Sequence, residues 1–170
     1  MLGLLGFGEK SGYELFGFAE RSVGFIWTPA KSQIYKVLPR LAELGLARVR
    51  RVAQSKLPDK QLYRLSTAGR RALRLWLASV DAEGPTDVML LKIFFGGQVP
   101  GAVVMRQVAA YRDARSRLLE GYRELERRLA PGGVNRLPLR LLALGVARAE
   151  TDVAWAEGLL RELDRAGDRG

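Results

Sequence analysis

Polar and basic side chains recur at helical spacing between residues 31 and 40 of this 170-residue chain. Lysine and arginine can bind phosphate oxygens, serine and glutamine can form hydrogen bonds with base edges, and a helix N-terminus favours anions. A solvated helix face that binds nothing has the same composition, so this pattern alone leaves both interpretations open. The set consists of Lys31, Ser32, Gln33, Tyr35, Lys36 and Arg40.

The sequence lacks the residue types of most catalytic and metal-binding sites. The chain contains neither cysteine nor histidine, which excludes disulfides, Cys/His zinc sites, thiol nucleophiles and every histidine-dependent triad. No motif supports catalysis by carboxylates or by a Ser/Lys pair. We therefore expect a protein that is not an enzyme and that needs neither a cofactor nor a metal.

Positive charge is concentrated in the first half of the chain. Residues 1–80 contain 14 basic against 5 acidic residues, a net charge of +9, whereas residues 81–170 contain 14 against 13, a net charge of +1. A generally arginine-rich proteome does not explain this asymmetry, because the second half is equally basic yet balanced by acids. The distribution predicts a module that binds nucleic acid, joined to a neutral module. The order of elements within the basic module makes double-stranded DNA the expected partner. With no apolar run of about 18 residues, we expect a cytoplasmic protein without a membrane span.

The basic module begins with a pattern of consecutive helices. Ser11 and Glu14 have the spacing of a capping box, which starts one helix. Thr28 is expected to cap the next helix, with Pro29 at its first position, and Gly45 is expected to end it in the left-handed conformation. The core-facing residues of this later helix should be Ile34, Val37, Leu38, Leu41 and Leu44.

A basic β-hairpin follows these helices. Ala47 and Val49 alternate with arginines in the first strand, and Tyr63 and Leu65 are expected to face inward from the second. Two helices and a basic hairpin in this order predict a winged helix-turn-helix, which places its second helix in the major groove of DNA. The hairpin residues expected to contact phosphates are Arg48, Arg50, Arg51, Lys56, Lys60 and Arg64.

Three segments in order resemble the PadR family of transcriptional regulators: LLGFGEKSGYEL, SQIYKVLPRLAELGLA and YRLSTAGRRAL. The resemblance covers residues 2–75. It implies a winged helix-turn-helix followed by C-terminal helices that form a dimer, and a function as a transcriptional regulator, most simply a repressor. The matching positions are Gly12, Tyr13, Glu14, Ser32, Ile34, Tyr35, Leu38, Leu41, Gly45, Leu46, Tyr63, Leu65, Thr67 and Gly69.

A helix followed by helix-breaking residues marks the end of the DNA-binding domain. Thr67 or Ser66 can cap the helix, and Gly84 and Pro85 form the break. We therefore expect a DNA-binding domain over residues 1–80 and a helical dimerisation domain over residues 81–170, in a mostly α-helical protein with one two-stranded wing. The packing face of the helix should consist of Ala72, Leu73, Trp76, Leu77 and Val80.

The second half contains one short apolar helix and two long amphipathic ones. Thr86 can cap the short helix, which should be buried on most sides. Each long segment has a 3.5-residue repeat over about four heptads, which predicts antiparallel helices in a coiled-coil-like seam. We expect two copies of the chain to dimerise through these helices; the alternative is that they pack only on their own DNA-binding domain. The dimerisation residues should include Val104, Val108, Tyr111, Leu118, Leu142, Val146, Val153 and Leu160.

Two further functions remain open. Members of the resembled family often respond to small aromatic molecules, so Trp76 and Trp155 are candidates for an effector pocket, although both can equally be core or interface residues and a regulator without an effector is also compatible with the sequence. The chain could instead be a protein–protein adaptor that uses a winged helix. The adaptor hypothesis predicts that Lys31→Ala, Gln33→Ala and Lys56→Ala leave function intact.

Overall fold

A computed structural model describes residues 1–24, 26–53, 59–81, 84–129 and 136–167. The described residues form two compact units. The N-terminal unit comprises Met1–Ser79 and Leu90–Val99, and the C-terminal unit comprises Val80–Met89 and Pro100–Gly170. No helix in these described ranges is long and apolar enough to cross a membrane. The elements are α1 (Leu2–Leu5), α2 (Gly12–Ser22), α3 (Lys31–Glu43), β1 (Ala47–Val52), β2 (Lys60–Leu65), α4 (Thr67–Ala78), α5 (Thr86–Phe94), α6 (Gly101–Leu129) and α7 (Arg136–Gly167).

The start of α2 is the predicted capping box. The Ser11 hydroxyl accepts a hydrogen bond from the backbone N–H of Glu14 at 3.3 Å, and the backbone N–H of Ser11 donates to the Glu14 carboxylate at 2.9 Å. Both groups would otherwise lack a partner at the helix N-terminus. The apolar side of α2 then packs into the core, where Leu15 and Ala19 are buried.

The start of α3 differs from the prediction. Thr28 does not cap the helix: Ala30 occupies the N-cap position, and the Thr28 hydroxyl donates to the carbonyl oxygen of Gly24 at 3.3 Å. Pro29 is buried ahead of the helix rather than in its first turn. The helix therefore begins at Lys31 and continues through Pro39 to Glu43.

The end of α3 follows the predicted glycine cap but not the predicted core. Gly45 has φ +68°, and backbone hydrogen bonds run from Leu46 N–H to the Leu41 carbonyl (2.8 Å) and from Gly45 N–H to the Ala42 carbonyl (2.9 Å). These two bonds form a Schellman motif. The motif turns the chain so that Leu46 packs against the core while Leu44 is 55% exposed, so the prediction that Leu44 faces the core is wrong.

The hairpin is the antiparallel pair β1–β2, in a register that sets Ala47 opposite Leu65 and Val49 opposite Tyr63. Ala47, Tyr63 and Leu65 are buried as predicted, but Val49 is 49% exposed. Only the first residue of β1 is buried, and the rest of the strand is exposed or half-buried. Lys10 adds an isolated antiparallel bridge to Tyr63 on the other side of β2.

Helix α4 is capped by Ser66 rather than Thr67. The Ser66 hydroxyl accepts from Gly69 N–H at 2.9 Å and donates to the Gly45 carbonyl at 2.6 Å, which joins the start of α4 to the end of α3. Leu73 and Leu77 are buried as predicted. Trp76 lies at the edge of the core and Val80 lies beyond the helix end, and both are exposed.

Helix α5 begins at Thr86 itself, so Thr86 does not cap it from outside. From Val88 to Gly96 every residue is buried or half-buried, as predicted. Its final residues belong to the N-terminal unit, where Phe95 joins the core and Lys92 is buried. The Lys92 ammonium donates to the backbone carbonyl of Ser79 at 2.6 Å.

The C-terminal unit contains the two long helices α6 and α7, which pack against each other along their lengths. Their contacts run in opposite directions along the chain, since Arg123 pairs with Glu150 while Tyr111 contacts Trp155. The helices are therefore antiparallel, as predicted. Together with the helices and hairpin of the N-terminal unit, they confirm a mostly α-helical protein with a winged helix-turn-helix and a helical C-terminal region.

Candidate nucleic-acid interface

One side of α3 is polar and fully available for contact. All six predicted residues (Lys31, Ser32, Gln33, Tyr35, Lys36 and Arg40) are exposed. The opposite side anchors the helix, because Ile34, Leu38 and Leu41 are buried in the core. The buried side therefore fixes the orientation of the exposed side. Within the exposed side, Arg40 pairs with Glu43 at 3.2 Å on the helix surface.

Two tyrosines extend this face toward α2. A Cβ atom at Gly12 would lie 2.9 Å from the Tyr35 ring, so the absence of a side chain at Gly12 allows that ring to pack on α2. Tyr13 is exposed, and the Lys31 ammonium lies 5.7 Å from the centre of its ring. Sequence reasoning did not place Tyr13 among the DNA-binding residues, although the Gly-Tyr-Glu motif contained it.

Two of the predicted phosphate contacts on the hairpin already have acidic partners. Arg50 pairs with Glu9 at 2.6 Å and Lys60 pairs with Glu14 at 2.7 Å. Arg64 is exposed, and Lys56 lies outside the described residues. No local sequence pattern indicates either pair, because 41 and 46 residues separate the partners.

The two oxygens of the Glu14 carboxylate accept hydrogen bonds from different residues. One oxygen accepts a hydrogen bond from the Lys60 ammonium, and the other accepts from the backbone N–H and the hydroxyl of Ser11. These donors, Lys60 foremost, lower the pKa of Glu14 to about 2 from its ordinary 4.5. A single side chain therefore caps α2 and ties the hairpin to it.

We expect the Glu14→Gln variant to lose stability at neutral pH by about 1 kcal/mol, since the pair is partly exposed and glutamine still completes a capping box. Because the folded pKa is depressed, the carboxylate stabilises the fold fully above pH 4.5, and that stability is lost as pH falls toward about 2. Urea unfolding at pH 7 and pH 3 should show a smaller difference between wild type and variant at pH 3.

A matched variant separates the charge from the cap. Glu14→Ala removes both, so it should be less stable than Glu14→Gln at both pH values. Equal differences between wild type and Glu14→Gln at pH 7 and pH 3 would contradict the role of the charge.

An apolar cavity of about 350 Å³ lies within the N-terminal unit. Trp76 lines it together with Trp27 and Phe95, and the Lys92 ammonium lies 5.4 Å from the centre of the Trp76 ring. Trp155 does not line this cavity. It makes an edge-to-face contact with Tyr111 in the C-terminal unit, with ring centres 6.2 Å apart.

The predicted dimerisation residues lie mostly in the seam between α6 and α7 of one chain. Val108, Tyr111 and Leu142 are buried there, and Leu118 is exposed. The remaining predicted residues, Val104, Val146, Val153 and Leu160, are half-buried.

An exposed apolar stripe lies on α7 beside its seam with α6. Leu141, Leu144 and Trp155 fall on one side of the helix, and they are 70%, 47% and 41% exposed. The side of α7 that packs on α6 carries Leu142 and Ala149 and lies roughly 120° around the helix from these three residues. Trp155 also contacts Tyr111 of α6. We call Leu141, Leu144 and Trp155 the outer stripe of α7.

Two family descriptions match the chain. Residues 1–75 match the transcriptional regulator PadR-like family. Residues 86–164 match the virulence activator alpha C-terminal family. The first range contains α1 to β2 and most of α4, and the second contains α5, α6 and most of α7.

Individual relatives extend over both ranges. The probable transcriptional regulator Rv1176c of Mycobacterium tuberculosis is 29% identical over 170 residues, covering 91% of this chain and 90% of that protein. The negative transcriptional regulator PadR of Bacillus subtilis is 26% identical over 174 residues, covering 97% and 96%. The crystal structure of Bacillus subtilis PadR in complex with operator DNA is 26% identical, covers 95% of this chain and 96% of that one, and has a TM-score of 0.46. Residues 1–75 therefore form a domain of the PadR-like family of transcriptional regulators, and both of these relatives, which the chain matches along nearly its whole length, are transcriptional regulators.

Proposed function

We propose that this protein is a cytoplasmic repressor that binds a palindromic operator as a homodimer and is released by a small aromatic effector. The observation that carries the proposal is the exposed polar face of α3, supported by a buried apolar face and followed by a basic hairpin. Residues 1–80 would bind DNA, and residues 81–170 would supply the dimer. Repression is favoured by the negative regulator among the relatives.

We assign the contacts that recognise the operator sequence to the N-terminal half of α3. Gln33 is the side chain best suited to a bidentate contact with adenine in the major groove. Lys31 and Lys36 on the same face carry charge suited to the phosphates on either side of the groove. The assignment divides the face into one residue that reads sequence and flanking residues that fix position.

The outer stripe of α7 is the surface that we assign to dimerisation. Leucine and tryptophan side chains gain free energy when they leave water, about 1.5–3 kcal/mol for each fully buried large side chain. In a two-fold dimer each such contact occurs twice. A dimer would also set two α3 helices at half-sites one helical turn of DNA apart, about 34 Å, or a multiple of it.

The apolar cavity around Trp76 is the site that we assign to the effector. Its volume is within the range for small-molecule sites, and its lining of aromatic rings suits a planar aromatic ligand. Because helices α1, α3, α4 and α5 all contribute lining residues, a ligand there would act on the helix that reads DNA.

DNA binding is tested with the full chain and a duplex from the region upstream of its own gene. We expect Gln33→Ala to weaken operator binding by about 1–3 kcal/mol without weakening binding to unrelated DNA. Lys36→Ala should weaken binding to both duplexes and reduce the salt slope by about 1, because one phosphate contact is lost. Fluorescence anisotropy over a series of salt concentrations measures both quantities.

A charge-matched control is Arg117→Ala on α6, which removes one exposed cation from the other unit and should leave the salt slope unchanged. Small aromatic acids added to the same assay should release the wild-type protein and fail to release Trp76→Ala, whereas Leu75→Ala on the same helix should respond as wild type. If the wild type binds no duplex at low salt, the proposed function is wrong and an adaptor role is favoured.

A further inference from the structure

The outer face of the hairpin carries three arginines that the core does not use. Tyr63 and Leu65 face the core, so Arg64 between them points outward. Arg48 lies directly opposite Arg64 in the register, and Arg50 is two residues along the same strand. All three side chains are exposed. Like charges directly opposite each other destabilise a hairpin. An anion bound on the same face would therefore stabilise this arrangement.

Glu9 supplies part of that negative charge. Gly8, with φ +110°, turns the chain ahead of it, and Lys10 behind it forms two backbone hydrogen bonds with Tyr63, at 3.0 and 2.9 Å. Continuing this antiparallel register by one residue sets Glu9 beside Arg64. Its carboxylate accepts a hydrogen bond from Arg50 at 2.6 Å.

The charge on this face remains uneven after that pairing. The hydrogen bond from Arg50 lowers the pKa of Glu9, and the charges of Arg50 and Arg64 lower it further. Within the described part of the chain, neither Arg48 nor Arg64 has an acidic side chain within 4.0 Å. One carboxylate therefore faces three guanidinium groups, around a hollow of about 420 Å³. Guanidinium groups bind phosphate through paired, charge-assisted hydrogen bonds.

We propose that Arg48, Arg50 and Arg64 form a phosphate-binding site on the outer face of the hairpin, and that Glu9 occupies it in place of phosphate in the free protein. The inference rests on the proposed DNA-binding function, in which these arginines are already expected to contact phosphates, and it adds the carboxylate that competes with phosphate for them. A phosphate that enters the site displaces the Glu9 carboxylate from Arg50. Glu9 therefore weakens backbone binding for every DNA sequence, because phosphates carry no sequence information.

The test compares Glu9→Gln with wild type on operator and unrelated duplexes. Removing the competing carboxylate should tighten binding to both duplexes by the same factor, about 3–10-fold. It should also steepen the salt slope by up to about 0.9, because only the wild type must break the Arg50–Glu9 ion pair when the phosphate binds, and the released carboxylate takes up a cation. Arg48→Gln and Arg64→Gln should each make the slope shallower by a similar amount.

The matched control is Glu124→Gln, which changes the net charge equally by freeing Arg127 and Arg128 on α6. If the Glu9→Gln and Glu124→Gln proteins show equal salt slopes of DNA binding, the DNA backbone is not the ligand of this site. Inorganic phosphate distinguishes the other source: a rise in melting temperature with phosphate that Arg48→Gln abolishes would assign the site to a free phosphate-bearing anion. Absence of both effects overturns the inference, whereas a wild type that binds phosphate but no DNA refutes only the proposed function.

Discussion

The Gly69→Ala variant is expected to melt about 10–20 °C below the wild type. A Cβ atom at Gly69 would overlap the carbonyl oxygen of Leu46 and lie 3.2 Å from the Leu65 side chain. The Leu46 oxygen cannot move away freely, because it accepts a hydrogen bond from Ser66 N–H at 3.1 Å. Overpacking against backbone costs about 2–3 kcal/mol, which corresponds to this shift for a unit of this size.

The variant tests whether the junction between the end of α3 and the start of α4 is as close as described. Differential scanning calorimetry gives the melting temperature. Gly121→Ala is the matched control, since a Cβ there meets nothing within 4 Å in the interior of α6. Alanine at that position should stabilise the helix by about 0.5–1 kcal/mol. A Gly69→Ala protein that melts with the wild type would contradict the described junction.

Leu141→Glu is expected to convert the protein to a monomer and to weaken operator binding at least about 100-fold. A carboxylate at the N-terminal end of the outer stripe of α7 would be buried without a partner in both copies of a symmetric dimer, at a cost of several kcal/mol. A monomer would contact one half-site and lose the benefit of linked binding. Sedimentation velocity and anisotropy with the operator duplex measure the two effects.

The control for this substitution lies two residues along the same helix. Ala143 is exposed and faces a different side of α7, so Ala143→Glu adds the same charge and should remain dimeric. If Leu141→Glu also remains dimeric at micromolar concentration, dimerisation does not use the outer stripe.

Local signals in the sequence predicted the elements well and their ends less well. The capping box of α2 was predictable because both partners lie within four residues, and the left-handed Gly45 because few other residues adopt that conformation. The start of α3 was misplaced because Thr28 and Pro29 have the right types for a helix start. The Thr28 hydroxyl is instead bonded to Gly24 and Pro29 is buried.

In the candidate interface, the exposed face of α3 is predictable from the sequence, but the ion pairs of the hairpin are not. Helical spacing alone identified the α3 face, because the periodic leucines fix which side turns outward. The partners of Arg50 and Lys60 depend on how α2 and the hairpin are brought together, which no local pattern encodes. The outer stripe of α7 was missed for a related reason: a leucine-rich helix has two apolar sides, and the sequence repeat does not say which one its neighbour covers.

The division of the Glu14 carboxylate between Ser11 and Lys60 has an evolutionary consequence. Selection cannot adjust the charge of the hairpin at position 60 without also disturbing the helix that begins at Gly12. Positions 14 and 60 should consequently diverge in concert between lineages.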